Sequence, residues 1–415
     1  MRIFLCELKR IFTLKICVVT LILAVALSIL LNIVMRESVS LNGDYYASYN
    51  NFLSDIQEKY GDVFDETEQA EWFAQQEIEL NKIADELIAK EPIFQKYPEY
   101  VRERITGGSF GTTSFYNFYG LDSKNISEEQ DKEVGKLHTT ISKNYDFVIQ
   151  GYFYTELKER YTETDYAADN YTLNGDMESL SREEIPASIR ERLEKFKTDF
   201  PYNTFNMENT GVTADYFSTV SVFIVIALMF LLVPYVVKDQ TRKTRQVQYS
   251  SKIGRKLFRI QFLTVIVAAV ITTLSIFLVF FIPYADFVEF GKFHNYHLGG
   301  IDGPFFMFNL TLTQYVLFLT LLTVLVAVSF ACVLFFLGRY SGNIVSCSLK
   351  AIPTCFIFAN LAVACTMSAL FAGNMLLAFF HYRLNMEIIS AVIAAAAGLI
   401  IGLAVLRGEK KREIQ

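Results

Sequence analysis

Tryptophan occurs once in this chain of 415 residues, as Trp72, and histidine only as His138, His294, His297 and His381. His294 and His297 stand three apart with no further candidate ligand near them, and no Cys/His spacing of the zinc kind occurs. A G-x-x-x-x-G-K-[ST] phosphate loop is missing, because Gly135-Lys136 lacks the upstream glycine and the following hydroxyl. No G-x-S-x-G elbow is present either. The chain is therefore not expected to hydrolyse ATP, to hold a metal, to carry catalytic residues or to bind a cofactor of its own. None of the six cysteines lies within residues 36–215. That stretch must fold without disulfides, and about 180 residues suffice to bury a core.

Charge is scarce where apolar residues are dense. Ion-coupled carriers keep costly ionisable groups near mid-membrane. Here those groups are nearly absent from the long apolar runs, so proton or sodium coupling is not expected, and active transport would need energy from another polypeptide.

What the chain has in abundance is long apolar sequence. Apolar types make up 52% of it, above the usual share for a soluble domain. A helix needs about 20 apolar residues to cross ~30 Å of hydrocarbon. Runs of that order occur at about 16–35, 216–237, 257–284, 313–337, 350–372 and 387–406. The first is too long for a signal-peptide core and no A-x-A-like cleavage site follows it, so it reads as an uncleaved anchor. Ahead of it, Ile3, Phe4, Leu8, Ile11 and Phe12 share one helical face, with Arg2, Glu7, Lys9 and Arg10 elsewhere. This predicts an amphipathic helix lying in the membrane interface.

The net charge of −6 conceals a segregation. Residues 36–215 carry 36 acids against 18 bases; the remainder carries 8 acids against 20 bases. A nucleic-acid partner would want a basic soluble domain and is not expected. Positive residues gather on the cytoplasmic side of membrane proteins. Arg2, Lys9, Arg10 and Lys15, the stretch 238–259, then Arg339 and Lys350, then Arg407, Lys410, Lys411 and Arg412 all fall inside if both termini are cytoplasmic. The expected fold is an all-α polytopic membrane protein with six transmembrane helices, N-in/C-in. Residues 1–35 hold the interfacial helix and first span, and residues 216–415 the other five. Residues 36–215 form a large, mainly helical extracytoplasmic domain between helices 1 and 2.

Within that domain, residues 66–91 place Trp72, Phe73, Ile78, Ile83 and Leu87 among charged helix formers. Ser181 and Glu184 suggest a capping box, and the glycines of 106–120 suggest loops. Its frequent tyrosines suit amphipathic packing or an aromatic surface for peptide or cell-wall ligands. Residues 285–312 read as an aromatic-rich outer loop, and 373–387 as a short apolar connection before the last span.

The stretch 238–259 carries eight Lys or Arg against the single acid Asp239. Two readings stand. It fixes orientation and touches anionic lipid, at ~1 kcal/mol per base near the surface, or it forms a short helix across the cytoplasmic face that docks on a partner. Its length and its apolar anchors Val247, Tyr249, Ile253 and Leu257 favour a contact made by Arg242, Lys243, Arg245, Val247, Tyr249, Ser250, Lys252, Gly254, Arg255 and Lys256. Asn309, Gln314, Asn360 and Thr366 are the polar groups in or near the later spans, and they either line a path between subunits or hydrogen-bond between helices.

Taken together, the N-terminal amphipathic helix, six spans, the Asp239…Ser250-Ser251-Lys252-Ile253-Gly254-Arg255-Lys256 loop and the apolar connection at 373–387 resemble the permease subunit of ABC-2 type exporters. The likeness covers residues 1–35 and 216–415. It implies a coupling helix between spans two and three that meets a separate cytoplasmic ABC ATPase dimer, with ATP and magnesium held there. It also implies a second permease copy or paralogue completing the path, and a multi-pass place in a bacterial plasma membrane. A peptide, a lipid or a hydrophobic drug would be the cargo. The insert at 36–215 departs from the many members that have a short first outer loop. A large insert there is similar to the MacB and FtsX mechanotransmission group, whose usual four spans differ from six; a membrane receptor is the remaining alternative.

Overall fold

A computed structural model describes residues 2–40, 45–61, 66–106, 115–120, 127–143, 150–151, 153–155, 158, 207–242, 252–296, 310–367 and 386–411. These are helical, with no strand among the described residues. The helices are α1 (Arg2–Ile11), α2 (Leu14–Ser40), α3 (Tyr45–Tyr60), α4 (Glu66–Lys90), α5 (Pro98–Thr106), α6 (Phe115–Phe118), α7 (Glu128–Lys143), α8 (Met207–Thr241), α9 (Lys252–Phe287), α10 (Phe290–Phe293), α11 (Leu312–Arg339), α12 (Ile344–Thr366) and α13 (Met386–Lys411). Six of them, α2, α8, α9, α11, α12 and α13, contain stretches long and apolar enough to cross a membrane. The described residues divide into two compact units, one containing α1, α8 to α13 and most of α2, the other containing α3 to α7.

In the first unit α11 is central, packed against α8, α9, α12 and α13. Small residues let backbones approach where polar groups then bond, the usual means of joining helices in lipid. Ser329 on α11 donates to the Ala394 carbonyl of α13 (2.6 Å). At the same place a Cβ on Gly398 would come within 2.8 Å of the Ser329 Cα. Backbone cannot yield as a side-chain tip can, so Gly398→Leu is expected to separate α11 from α13 and cost about 1–3 kcal/mol. A lowered melting midpoint of the full-length protein in detergent checks this. Ser221 and Thr323 join α8 to α11 through their hydroxyls (2.7 Å). Pro283 has no N–H and interrupts the ladder of α9 near its end. Tyr216 donates to the Phe280 carbonyl there (2.8 Å) and Asn32 of α2 to the Pro283 carbonyl (2.8 Å).

Three expectations change. The fifth apolar helix begins at Ile344, not near 350, because Asn343 caps it by accepting from the Ser346 amide (2.8 Å). Lys350 therefore sits inside the helix and returns its ammonium to the Tyr340 carbonyl (3.0 Å), as a long side chain can. The helix closes at Thr366, and the expected continuation over 368–372 lies outside the described residues, as does nearly all of 373–387. The start of the presumed outer loop is packed: Phe287, Val288, Phe293 and Tyr296 are buried, and Leu312 donates back to the Tyr296 carbonyl (2.9 Å).

The second unit has two cores threaded by α4. Trp72, Phe73 and Leu80 join Leu53, Ile56, Phe153 and Tyr154. One turn further, Ala84 and Leu87 join Tyr100, Ile105, Phe115, Val134 and Leu137. Of the apolar residues noted in 66–91, Ile78 points away from both cores and is 72% exposed. Gly151 lies against the Ile105 carbonyl, where any side chain would collide with backbone. The capping box at Ser181 lies outside the described residues. His138 lies beside Tyr100, and burial, with the Arg104 charge second, holds its imidazole below its ordinary value. The unfolded chain then binds the proton more readily. Stability from this site is present above the ordinary histidine value and is lost as pH falls through the lower folded value. Protection factors of the α5 and α7 amides, taken against the intrinsic rate at each pH, are expected to fall as pH drops through that window, and His138→Gln should remove the dependence.

Candidate functional site: a buried polar junction at one end of the bundle

The described residues of the basic stretch are helical apart from the turn residue Arg242. Lys238 to Thr241 complete α8, and Lys252 onward already belongs to α9. Residues 238–241 and 252–259 thus extend the two flanking spans, and the separate helix expected between them would fall on 243–251, outside the described residues. Lysine and arginine are good helix formers, so nothing in 252–259 except Gly254 opposes the extension. Arg242 is an exposed turn residue. Lys252, Gly254, Arg255 and Lys256 occupy the first turns of α9, whereas Lys243, Arg245, Val247, Tyr249 and Ser250 lie outside the described residues.

Where these two helices end and begin, a network of buried polar groups joins four elements. Gln261 of α9 donates from Nε2 to Asp239 of α8 (2.6 Å), and Arg339, the last residue of α11, donates from Nη2 to Gln261 Oε1 (2.5 Å). The amide can serve in one orientation only, since a flip would turn its NH2 toward a guanidinium and its oxygen toward a carboxylate. The Arg339 guanidinium lies over the rings of Phe258 (4.6 Å) and Phe335 (4.8 Å). Such contacts are worth about 0.5–2 kcal/mol each. Arg339 and Gln261 are 6% and 3% exposed.

A second branch holds α1, which packs on α9 and α8. Glu7, only 3% exposed, accepts from the Tyr235 hydroxyl (2.8 Å) and from Arg10 (2.6 Å). Tyr235 and Asp239 are one helical turn apart on α8, so both branches meet on its last two turns. Glu7, Asp239 and Arg339 all act electrostatically on Tyr235. Beside them a Cβ on Gly338 would fall 2.5 Å from Val236, so α8 and α11 approach closely at this same end. Nothing here is nucleophilic or poised for proton transfer to a substrate. What the arrangement does is tie α1 and α9 to the ends of α8 and α11.

The four polar groups of the later spans are not brought together among the described residues. Gln314 completes a capping box with Thr311 at the start of α11. Asn360 is exposed on α12 and donates to the Phe356 carbonyl of its own helix (2.8 Å). Thr366 is buried and donates to the Ala362 carbonyl (2.9 Å). Asn309 lies outside the described residues. His294 Nδ1, in the tautomer protonated there, donates to the Gly291 carbonyl of its own turn (3.1 Å), and no group of metal-ligating side chains occurs among the described residues.

Sequence reasoning missed Glu7, Tyr235, Gln261 and Arg339. Two of them had a signal: Glu7 breaks the outer face of α1 at the spacing of a pair with Arg10, and Arg339 ends an otherwise uncharged span directly after a glycine. The chain matches no protein-family model, no curated protein and no solved structure. The likeness to ABC-2 permeases thus rests on topology and the loop residues alone.

Proposed function

We propose that this chain is the membrane subunit of an ATP-driven exporter of the ABC-2 kind. It works as a dimer, of identical or related copies, above a separate cytoplasmic ABC ATPase that holds ATP and magnesium. The observation that carries the reading is the junction of Glu7, Tyr235, Asp239, Gln261 and Arg339. It ties the amphipathic helix α1 and three spanning helices together directly beside the most basic stretch of the chain. Six apolar helices and the scarcity of charge within them support a passive path driven from outside. The exposed Asn360 on α12 suits a face covered by the second copy, since a polar side chain facing lipid is costly. In this scheme the acidic unit stands outside a bacterial plasma membrane and receives cargo or caps the exit, the cargo being a peptide, a lipid or a hydrophobic drug. ATP-driven movement changes access to the path because contacts to the basic stretch differ between the two states.

Affinity purification of the full-length protein from its native cells tests the reading. Retention of an ABC ATPase, with ATP turnover raised by a peptide, lipid or drug, is expected. Recovery of the chain without any ATPase contradicts it.

A further inference from the structure

The junction also says where a push on the basic stretch goes. A lever made of α8 and α9 alone would leave the end of α11 free. Here Arg339 closes that end onto Gln261, and Gln261 onto Asp239, two residues before α8 stops at Thr241. Gly338 and Val236 press the same two helix ends together. The polar trio adds direction to this contact, because the Gln261 amide gives its NH2 to Asp239 and its oxygen to Arg339 and so cannot turn. On the opposite side of α11, Ser329 and Gly398 lock it to α13.

We propose that Arg339 is a positioning residue, with Gln261 as its adaptor, that makes the ends of α8 and α11 move as one. Force arriving at the end of α8 is thereby delivered to α11, the centre of the bundle, and through it to α13. The proposal rests on the exporter reading for the origin of the force, though not for the existence of the joint.

Stability and positioning are separable here. Replacing a polar trio of which two members are buried and Asp239 half-buried by apolar side chains of similar volume should leave stability close to native. Asp239→Leu, Gln261→Leu and Arg339→Met together should therefore keep the native melting midpoint while removing the directional tie. Spin labels at Thr241→Cys and Tyr340→Cys report the separation of the two ends. They are placed in full-length protein carrying Cys6→Ser and Cys17→Ser, in lipid nanodiscs. A narrow dipolar distance distribution is expected for the native trio, and one at least twofold broader for the triple variant. Gln261→Glu supplies a second test should the triple variant fail to fold. It keeps Arg339 engaged and repels Asp239, so it too should broaden the distribution. A width unchanged in either folded variant overturns the proposal.

Where an ATPase is retained, ATP with vanadate should displace the Tyr340 label in the native chain and leave it in place in Gln261→Glu, with hydrolysis within twofold of normal. Displacement preserved in Gln261→Glu also overturns it. If no ATPase is retained, the exporter reading fails, and the width measurement still decides the joint because it needs no partner.

Discussion

Arg339→Leu is expected to destabilise the full-length protein by about 2–4 kcal/mol, one of the largest effects of a single change in the transmembrane unit. Three losses coincide. Two ring contacts of the guanidinium disappear. The Gln261 oxygen, in a residue 3% exposed, loses its donor. Asp239 keeps its bond to an amide whose other end is now unsatisfied. A half-satisfied buried network is worse than an apolar one. Lys350→Leu is the control, since that lysine is exposed and its ammonium reaches only the Tyr340 carbonyl and, at 3.5 Å, the Ser341 hydroxyl at a solvated helix start; it should change stability by less than about 0.5 kcal/mol. Chemical denaturation in mild detergent, followed by intrinsic fluorescence and near-ultraviolet dichroism, measures both. Equal effects of the two changes would show that the junction contributes no more than a surface charge.

Reversal of Arg255 and Lys256 to glutamate should act in the opposite manner, with little effect on folding and a large one on partnership. Both residues lie in the first turns of α9, where the helix dipole favours acids. The variant should therefore insert and melt as the native chain does. If the basic stretch is the docking surface, two like-charge contacts replace two attractive ones, and the retained ATPase should fall by about tenfold or more. Retention at the native level, with cargo movement intact, would remove the basic stretch from the coupling scheme.

The sequence carried the membrane part of the fold well because the bilayer imposes a single length and a single polarity on every crossing. Runs of apolar residues marked out all six helices long enough to span, although the helices run past the apolar runs, α8 starting at Met207 and α9 at Lys252, and the fifth starts early where Asn343 caps it. The amphipathic character of α1 was equally legible, yet its buried acid was not. Glu7 lies off the apolar face, and burial there depends on a tyrosine 228 positions away. The same applies to Arg339. As a charge at the end of a span it was informative about orientation, but its aromatic sandwich requires Phe258 from another helix. Long-range polar pairing has no periodicity to betray it. In the acidic unit, Ile78 shows the converse limit: it is apolar like Trp72 and Leu87, but it lies half a turn round the helix from Leu87, off the buried stripe of α4, and stays exposed.

The account depends on where the basic stretch lies. Lys252→Cys and Ile78→Cys, each introduced singly into protein carrying Cys6→Ser and Cys17→Ser, can be treated in intact cells with a membrane-impermeant maleimide and again after permeabilisation. Ile78→Cys should label in intact cells, and Lys252→Cys only once the membrane is opened. Labelling of Lys252→Cys from outside, or protection of Ile78→Cys until permeabilisation, would contradict the account.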